Sequence, residues 1–354
     1  MNLRLSKTFE ESVLPPIVAL LLAAVVGDAL IVSFGQAPAA VFRLLLDGTW
    51  GNSYGFGQVL YKATTLTFTG LAVGLGLRAG LFNIGAESQL AAGGFCAALV
   101  GLVLPAGIPA LLCLPVYILA AALGGGAVGA VPGVLKARFG AHEVIVTIML
   151  NFIVLALLNW FIAGHLHVPE TLHTPEIHAG VLPRLADINS TFHGSAANLA
   201  LIVAVLVAVA VWFYLFRARA GYELRAVGLQ PDAAEYGGIS VRRVWMRALT
   251  LSGVIAGIGG INYVLGYKHY YEDGFASGAG FLGIAVALVG RNHPFGVLLA
   301  AFFFATLSQG GLAIHAFVPK QMMDVLQGVV IIAVAMSVPE VTRVLRSARR
   351  RSDA

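Results

Sequence analysis

The sequence predicts an all-α polytopic membrane protein, with about ten transmembrane spans arranged as inverted repeats and with N- and C-termini cytoplasmic. Three observations carry this. Hydrophobic residues make up 58% of the 354-residue chain and charged residues 11%. The mean hydropathy is +0.86, and together these values exclude an ordinary soluble domain. Cutting at Pro, Gly and charge clusters leaves about ten apolar runs, most of them near the ~20 residues a helix needs to cross hydrocarbon. Basic residues then sort by side. Arg4, Lys7, Arg78, Lys136, Arg138, Arg217, Arg219, Arg225, Arg242, Arg243, Arg247, Arg291, Arg343, Arg346, Arg349, Arg350 and Arg351 fall on one side, and Arg43, Arg184, Lys268 and Lys320 on the other, seventeen against four. Such a bias favours an even count with both ends inside.

The first run, 14–34, is too long and wrongly flanked for a cleaved signal and reads as a retained helix. The second, 57–77, carries Lys62 within it. The third, 82–104, overlaps GLFNIGAESQL, Gly80 to Leu90, which sets Asn83, Glu87 and Gln89 inside an otherwise apolar stretch. A carboxylate at mid-bilayer costs about 2.5–3.5 kcal/mol on insertion scales, so a membrane protein that keeps one uses it for structure or transport. The glycines and polar groups also argue against a continuous lipid-facing helix here. The fourth run is 109–133. Cys96 and Cys113 lie in apolar runs and read as small buried hydrophobes rather than a disulfide.

The fifth run, 143–163, leads to an outer loop, 164–195, with His165, His167, His173, His178, His193, Glu170, Glu176 and Asp187. Its spacing matches no standard metal framework, and a solvated docking loop is the preferred reading. The sixth run, 196–216, leads to the inner loop, 217–246, basic at both ends, with RAVGLQPDAAEYGGI from Arg225 to Ile239 in its middle. Pro231 suits a first helical position, Asp232 and Glu235 the positive end of the helix dipole, and Gly237 with Gly238 the stop. A helix of about 9 Å results, stable only when packed on a partner. The seventh run, 247–266, holds Asn262. The eighth, 278–290, cannot cross ~30 Å of hydrocarbon and must be a broken or half-buried element. The ninth is 294–315 and the tenth 321–338.

The pI near 9.3 and the basic tail imply contact with anionic lipid headgroups rather than nucleic acid. Two interrupted, Gly-rich stretches recur at a similar offset in each half, GLFNIGAESQLAAGGF and, from Gly274 to Gly290, GFASGAGFLGIAVALVG. Because the preceding spans run in opposite directions, the repeat is inverted and the broken segments should face each other near the midplane. Many of the 42 glycines also suit close helix packing. No GxxxxGK[ST], HExxH, GxSxG or CxxC occurs, so the chain supplies no catalytic residues, metal site or cofactor site of those kinds. Energy from ATP would have to come from a partner.

Four ordered motifs, GLFNIGAESQ, HEVIVTIMLNFI (His142 to Ile153), RAVGLQPDAAEYGGI and GFLGIAVALVGRNHPFG (Gly280 to Gly296), resemble the permease subunits of bacterial ABC importers of the branched-chain amino acid and simple-sugar group. FNIGAE and the EVI-T-MLN pattern most resemble the nucleoside-type members. The resemblance, which runs from about Leu14 to Val341, implies one permease domain over 1–354 in the bacterial cytoplasmic membrane. It implies an ATP-binding subunit, a second homologous permease subunit and an extracytoplasmic solute-binding protein as partners. It makes Arg225 to Ile239 the coupling helix that docks on the ATPase, with Arg225, Gly228, Pro231, Asp232, Ala234, Glu235, Tyr236 and Gly237 as coupling residues. The family more often has Gly where Ser88 stands and Asn where His142 stands.

Physics and resemblance together give an ATP-driven importer for nucleosides or a related small polar solute. Asn83, Glu87, Gln89, Asn151 and Asn262 are the candidates for polar groups near the path, with helix-to-helix hydrogen bonds as the competing role. Trp160, Phe152 and Tyr263 could stack on a base, although interfacial aromatic belts are the commoner use. The alternatives are an ABC permease for sugars or branched-chain amino acids, an ion-coupled secondary transporter with Glu87 titrating, and a membrane-embedded enzyme using Glu87 with a histidine.

Overall fold

The computed structural model describes residues 21, 24–29, 31–315, 325–329 and 332–333. Among these no strand occurs; extended pairing is limited to the isolated bridges His173 with Glu272 and Arg184 with Asn198. The chain divides into two compact units, 1–52 with 306–354, and 53–305. Both ends of the chain, the start of the expected first span and most of the tenth lie outside the described residues.

In the first unit, Pro38 opens helix α1, Pro38–Thr49, at a position where its missing N–H costs nothing. Val41 and Leu45 on one face pack with Ile31 and Ile314. Close approach depends on two glycines: a Cβ on Gly48 would meet the Ala313 Cβ at 2.3 Å, and one on Gly310 the Leu45 Cγ at 2.4 Å.

The second unit begins with α2, Ser53–Arg78, and α3, Ala86–Val103. Helix α4, Ala110–Phe139, is stopped by Gly140 at φ 68°, whose N–H returns to the carbonyls of Leu135 and Lys136. Helix α5, Glu143–Phe161, runs into a π turn at Ile162–Leu166; α6 is Ala200–Arg217, α7 Arg219–Leu229 and α8 Pro231–Tyr236. Helix α9, Val241–Ile258, continues through Gly260–Tyr263 into a second π turn, Val264–Lys268, and is followed by α10, Ala279–Val289, and α11, Pro294–Ala313.

Six described helical segments are long and apolar enough to cross a membrane: Ala86–Val103, Ala110–Phe139, Glu143–Leu166, Ala200–Arg217, Val241–Lys268 and Pro294–Ala313. The chain is a multi-pass membrane protein. Helix α2 has the length, 26 residues, but not the hydropathy, because it is rich in Thr and Gly and buried along most of its course. A helix enclosed by protein need not match lipid. As expected, the eighth run is short: α10 has 11 residues. The seventh span departs from expectation by starting at Val241 rather than 247, since Arg242, Arg243 and Arg247 ride on its first turns.

Helix α9 is the hub. Gly125, Gly129 and Gly133 on α4 face Leu249, Gly253 and Gly257 on α9, so that a Cβ on Gly253 would sit 2.3 Å from the Gly125 carbonyl oxygen. Gly93 and Gly94 of α3 meet Gly257 and Gly260 just as closely. These small-xxx-small faces bring backbones together where apolar burial gives no drive between helices in lipid.

The outer loop differs from a freely solvated one. Its backbone lies along the segment after α9: the N–H groups of Thr174, Ile177 and Leu182 donate to the carbonyls of Tyr271, His269 and Leu265 at 2.8, 2.7 and 3.0 Å. Thr174, Ile177, Ala179 and Leu182 are buried, and the Tyr117 hydroxyl donates to the Ala179 carbonyl at 2.6 Å.

Candidate functional site

The interrupted segment between α2 and α3 carries a cluster of buried polar side chains, Asn83, Glu87, Ser88 and Gln89. Helix α2 ends when Gly80 takes φ 73° and the Leu81 N–H returns to the Gly76 carbonyl at 3.0 Å, a closure that suits glycine. Asn83 follows, fully buried. Its Nδ2 donates to Gln89 Oε1 at 2.8 Å and to Ser252 Oγ on α9 at 2.7 Å. Its Oδ1 accepts from the Gly85 N–H at 2.9 Å and from Gln89 Nε2 at 3.2 Å. Ser252 in turn donates to the Ala72 carbonyl on α2 at 2.6 Å. Asn151, from α5, accepts the Ser88 N–H at 3.1 Å and donates to the Ile84 carbonyl at 3.0 Å, while Thr147 Oγ1 accepts the Ile84 N–H at 3.3 Å. Side chains from α5 thus satisfy backbone groups at the break, while Gln89 of α3 and Ser252 of α9 hold the Asn83 amide, as buried polar groups require.

Glu87 stands in the first turn of α3 and reaches out of it. Its Oε1 accepts the Gly278 N–H at 2.7 Å and its Oε2 the Gly280 N–H at 2.6 Å, the unpaired donors that start α10. Gly280 permits the approach, since a Cβ there would meet the Glu87 backbone nitrogen at 2.2 Å. A carboxylate at a helix N-terminus contributes about 0.3–1 kcal/mol, rising to ~2 when partly buried. The opposite end of α10 is met by Arg78, whose Nε donates to the Asn292 carbonyl at 3.0 Å and whose Nη2 donates to the Arg291 carbonyl at 3.3 Å. The two interrupted stretches therefore lie against each other.

Asn262 is separate from this cluster. Its Nδ2 donates to Thr65 Oγ1 at 2.8 Å and to the Tyr61 carbonyl at 3.0 Å on α2, and its Oδ1 accepts from Asn198 Nδ2 at 2.9 Å. Asn198 was not anticipated: it lies at an expected span start, where an asparagine gives no signal. Ser88 uses its hydroxyl locally, donating to the Gly85 carbonyl at 3.0 Å. His142 precedes α5 but makes no capping hydrogen bond with its side chain; that position is secured instead by Lys136 and Glu143 at 2.7 Å. Of the aromatics, Phe152 and Trp160 are 68% and 64% exposed on the outside of α5, whereas Tyr263 joins an inner group with Tyr61, Tyr267, Tyr271 and Phe275 and bonds Glu272.

Among the described residues no three or more His, Cys, Asp and Glu side chains gather where they could hold a metal ion. His165 stacks on Phe161 at 5.1 Å between ring centres, and His173 on Tyr270 at 4.3 Å. His269 is held below the ordinary histidine value by burial and then by Arg184, with Glu176 and Asp187 opposing. Its neutral Nε2 can then accept from Arg184 Nη2, 3.1 Å away.

On the other large loop, α8 spans Pro231–Tyr236 with Pro231 at its first position and Asp232 in its first turn. It stops at Gly237, with Gly238 at φ 83°. Asp232, Glu235, Tyr236 and Gly237 are exposed and Ala234 is buried beneath them. Tyr236 is 99% exposed and Leu229, which sequence reasoning missed, 86%. An isolated large apolar residue carries no signal in a sequence this hydrophobic. Arg225 and Gly228 do not belong to this tip. Arg225 lies over the Phe216 ring at 5.3 Å, and a Cβ on Gly228 would meet the Arg78 carbonyl oxygen at 2.1 Å. Glu223 ties α7 to α9 through Arg247 at 3.9 Å.

Buried amides that clamp a broken pair of helices, and a short helix that projects an exposed tyrosine from a basic loop, are features of a multi-pass membrane protein. The sequence narrows this class: residues 55–335 match the family described as branched-chain amino acid transport system / permease component, and the chain belongs to that family. It is 38% identical over 327 residues to the guanosine ABC transporter permease protein NupP of Bacillus subtilis, covering 92% of this chain and 93% of that one. It is 32% identical over 333 residues to the nucleoside ABC transporter permease protein NupB of Lactococcus lactis, at 92% and 91% coverage. It is also 32% identical over 328 residues to the glucose ABC transporter permease protein TsgB13 of Haloferax volcanii, at 90% and 85%. No solved structure matches it. The chain is an ABC importer permease subunit, a transport component rather than an enzyme or an ion-driven carrier, and ATP hydrolysis belongs to a separate subunit.

Proposed function

We propose that this permease passes nucleosides across the bacterial cytoplasmic membrane. The observation that carries the reading is the 38% identity to a guanosine permease over nearly the whole of both chains. The full chain forms one permease domain of about ten spans built as inverted repeats, with both termini cytoplasmic. It pairs with a second homologous permease subunit, receives solute from an extracytoplasmic binding protein and is driven by an ATP-binding subunit. That subunit docks on α8, where the exposed Tyr236 and Leu229 are anchors of the kind that dominate interfaces. ATP-driven closure displaces α8, and the permease pair rocks to open the path inward. Asn83, Glu87, Gln89, Asn151 and Asn262 shape that path through the helix contacts they make rather than by contacting solute throughout.

Glucose is the second reading, because one relative of similar identity carries that name. Uptake of radiolabelled guanosine by the complex in proteoliposomes, with internal ATP held constant, separates the two. Unlabelled nucleosides should compete, and glucose and leucine should not. Competition by glucose with none by nucleosides would replace the nucleoside assignment.

A further inference from the structure

The short helix α10 has its two ends held by one neighbouring stretch of chain. Its N-terminal N–H donors, Gly278 and Gly280, meet the Glu87 carboxylate, and the carbonyls beyond its C-terminus, Arg291 and Asn292, meet the Arg78 guanidinium. Acid at the positive end of the dipole and base at the negative end is the stabilising arrangement. Here both charges come from either side of the break between α2 and α3. Between its ends α10 lies against α2 without spacers: Cβ atoms on Gly283 and Gly70 would meet Thr69 Cβ and Val286 Cγ1 at 2.6 Å each. The carbonyl of Arg78 is also where Gly228, three residues before Pro231, presses on the core, with Gly80 touching Gly228 from the other side.

We propose that Glu87 and Arg78 form a two-ended charge clamp. It makes α10 one rigid body with α2 and the break, and Gly228 is the point at which α7 and α8 push on that body. The inference rests on the ABC permease reading for the source of the push. Glu87 and Arg78 are positioning residues: they move the broken helix with the coupling element and contact no solute. A proton on either oxygen would compete with an N–H bond that holds α10, so the clamp favours the carboxylate form of Glu87.

The test uses the full permease complex in proteoliposomes, in a background lacking Cys96 and Cys113, with spin labels at the exposed positions Tyr54 on α2 and Phe281 on α10. The Tyr54 to Phe281 distance should be the same in nucleotide-free and ATP-trapped states. A distance that shifts between the two states overturns the rigid body. Glu87→Leu should broaden that distance distribution and raise the ratio of ATP hydrolysed to guanosine imported several-fold. Glu87→Gln, which keeps one acceptor oxygen, should fall between. A purely structural role would lower hydrolysis and uptake together and leave their ratio unchanged. Glu87→Gln as inactive as Glu87→Leu, with the distance undisturbed, would assign Glu87 to proton transfer or solute contact instead. The distance can be read without any transport, so absence of ATP-driven uptake in the unsubstituted complex counts against the permease reading and leaves the clamp to be judged on the distance.

Discussion

Asn83 and Gln89 exchange amide hydrogen bonds in both directions, 2.8 Å one way and 3.2 Å the other, and Asn83 carries two further partners. Truncating either residue leaves buried donors and acceptors without water to replace the loss, at about 1–3 kcal/mol. Asn83→Ala and Gln89→Ala should each lower the midpoint of thermal unfolding in detergent. The double variant should cost clearly less than the sum, because one shared pair is removed twice. Strict additivity would show that the two amides act independently. The sequence reveals that these side chains are out of place in hydrocarbon, but not whom they serve. Glu87 shows why. Its partners Gly278 and Gly280 are separated from it by 191 and 193 residues and offer backbone N–H groups, which look the same in every residue type.

Elements with local punctuation were legible. Helix α8 has the limits that Pro231 and the Gly237-Gly238 pair dictate, because the proline and the left-handed glycine act on their own dihedrals. The start of α9 was not legible: arginines at a membrane edge suit a loop and a helix turn equally well, and here they extend the helix back to Val241. Docking belongs to this scale. Tyr236→Ala removes a side chain that touches almost nothing within the chain, so the permease should fold and insert normally. It should lose most of its association with the ATP-binding subunit, read by co-purification and by hydrolysis stimulated with binding protein. Normal co-purification would move the docking surface off α8.

For the molecule as a whole, we propose from the sorting of basic residues that the two large loops lie on opposite faces of the membrane. Single cysteines at Gln230 and Glu176, both at exposed positions, in a background lacking Cys96 and Cys113, should react with an impermeant thiol reagent from opposite sides. Glu176 should label in intact cells and Gln230 only in inverted vesicles. Labelling of both from one side would overturn the arrangement of spans. The multi-pass helical class was readable from composition and run length together, since lipid admits only helices or closed barrels and apolar runs of ~20 residues suit helices. The glycine-lined hub at α9 was not, because the pairing of Gly125 with Gly253 depends on which helices are neighbours.

The concealment of α2 has a consequence for how the protein is made. Thr64, Thr67 and Thr69 turn their hydroxyls onto the helix's own carbonyls, and α2 is enclosed by protein along most of its course. The α9 groups that enclose it, Ser252 and Asn262, lie 180 and 201 residues further along the chain from their partners Ala72 and Tyr61. At bacterial synthesis rates of about 5–20 residues per second, those groups emerge roughly 10–40 s later. During that interval the α2 carbonyls of Ala72 and Tyr61 lack the side-chain donors that later meet them. Substitutions that weaken its later enclosure will therefore reduce the amount of permease reaching the membrane before they change what each finished molecule transports.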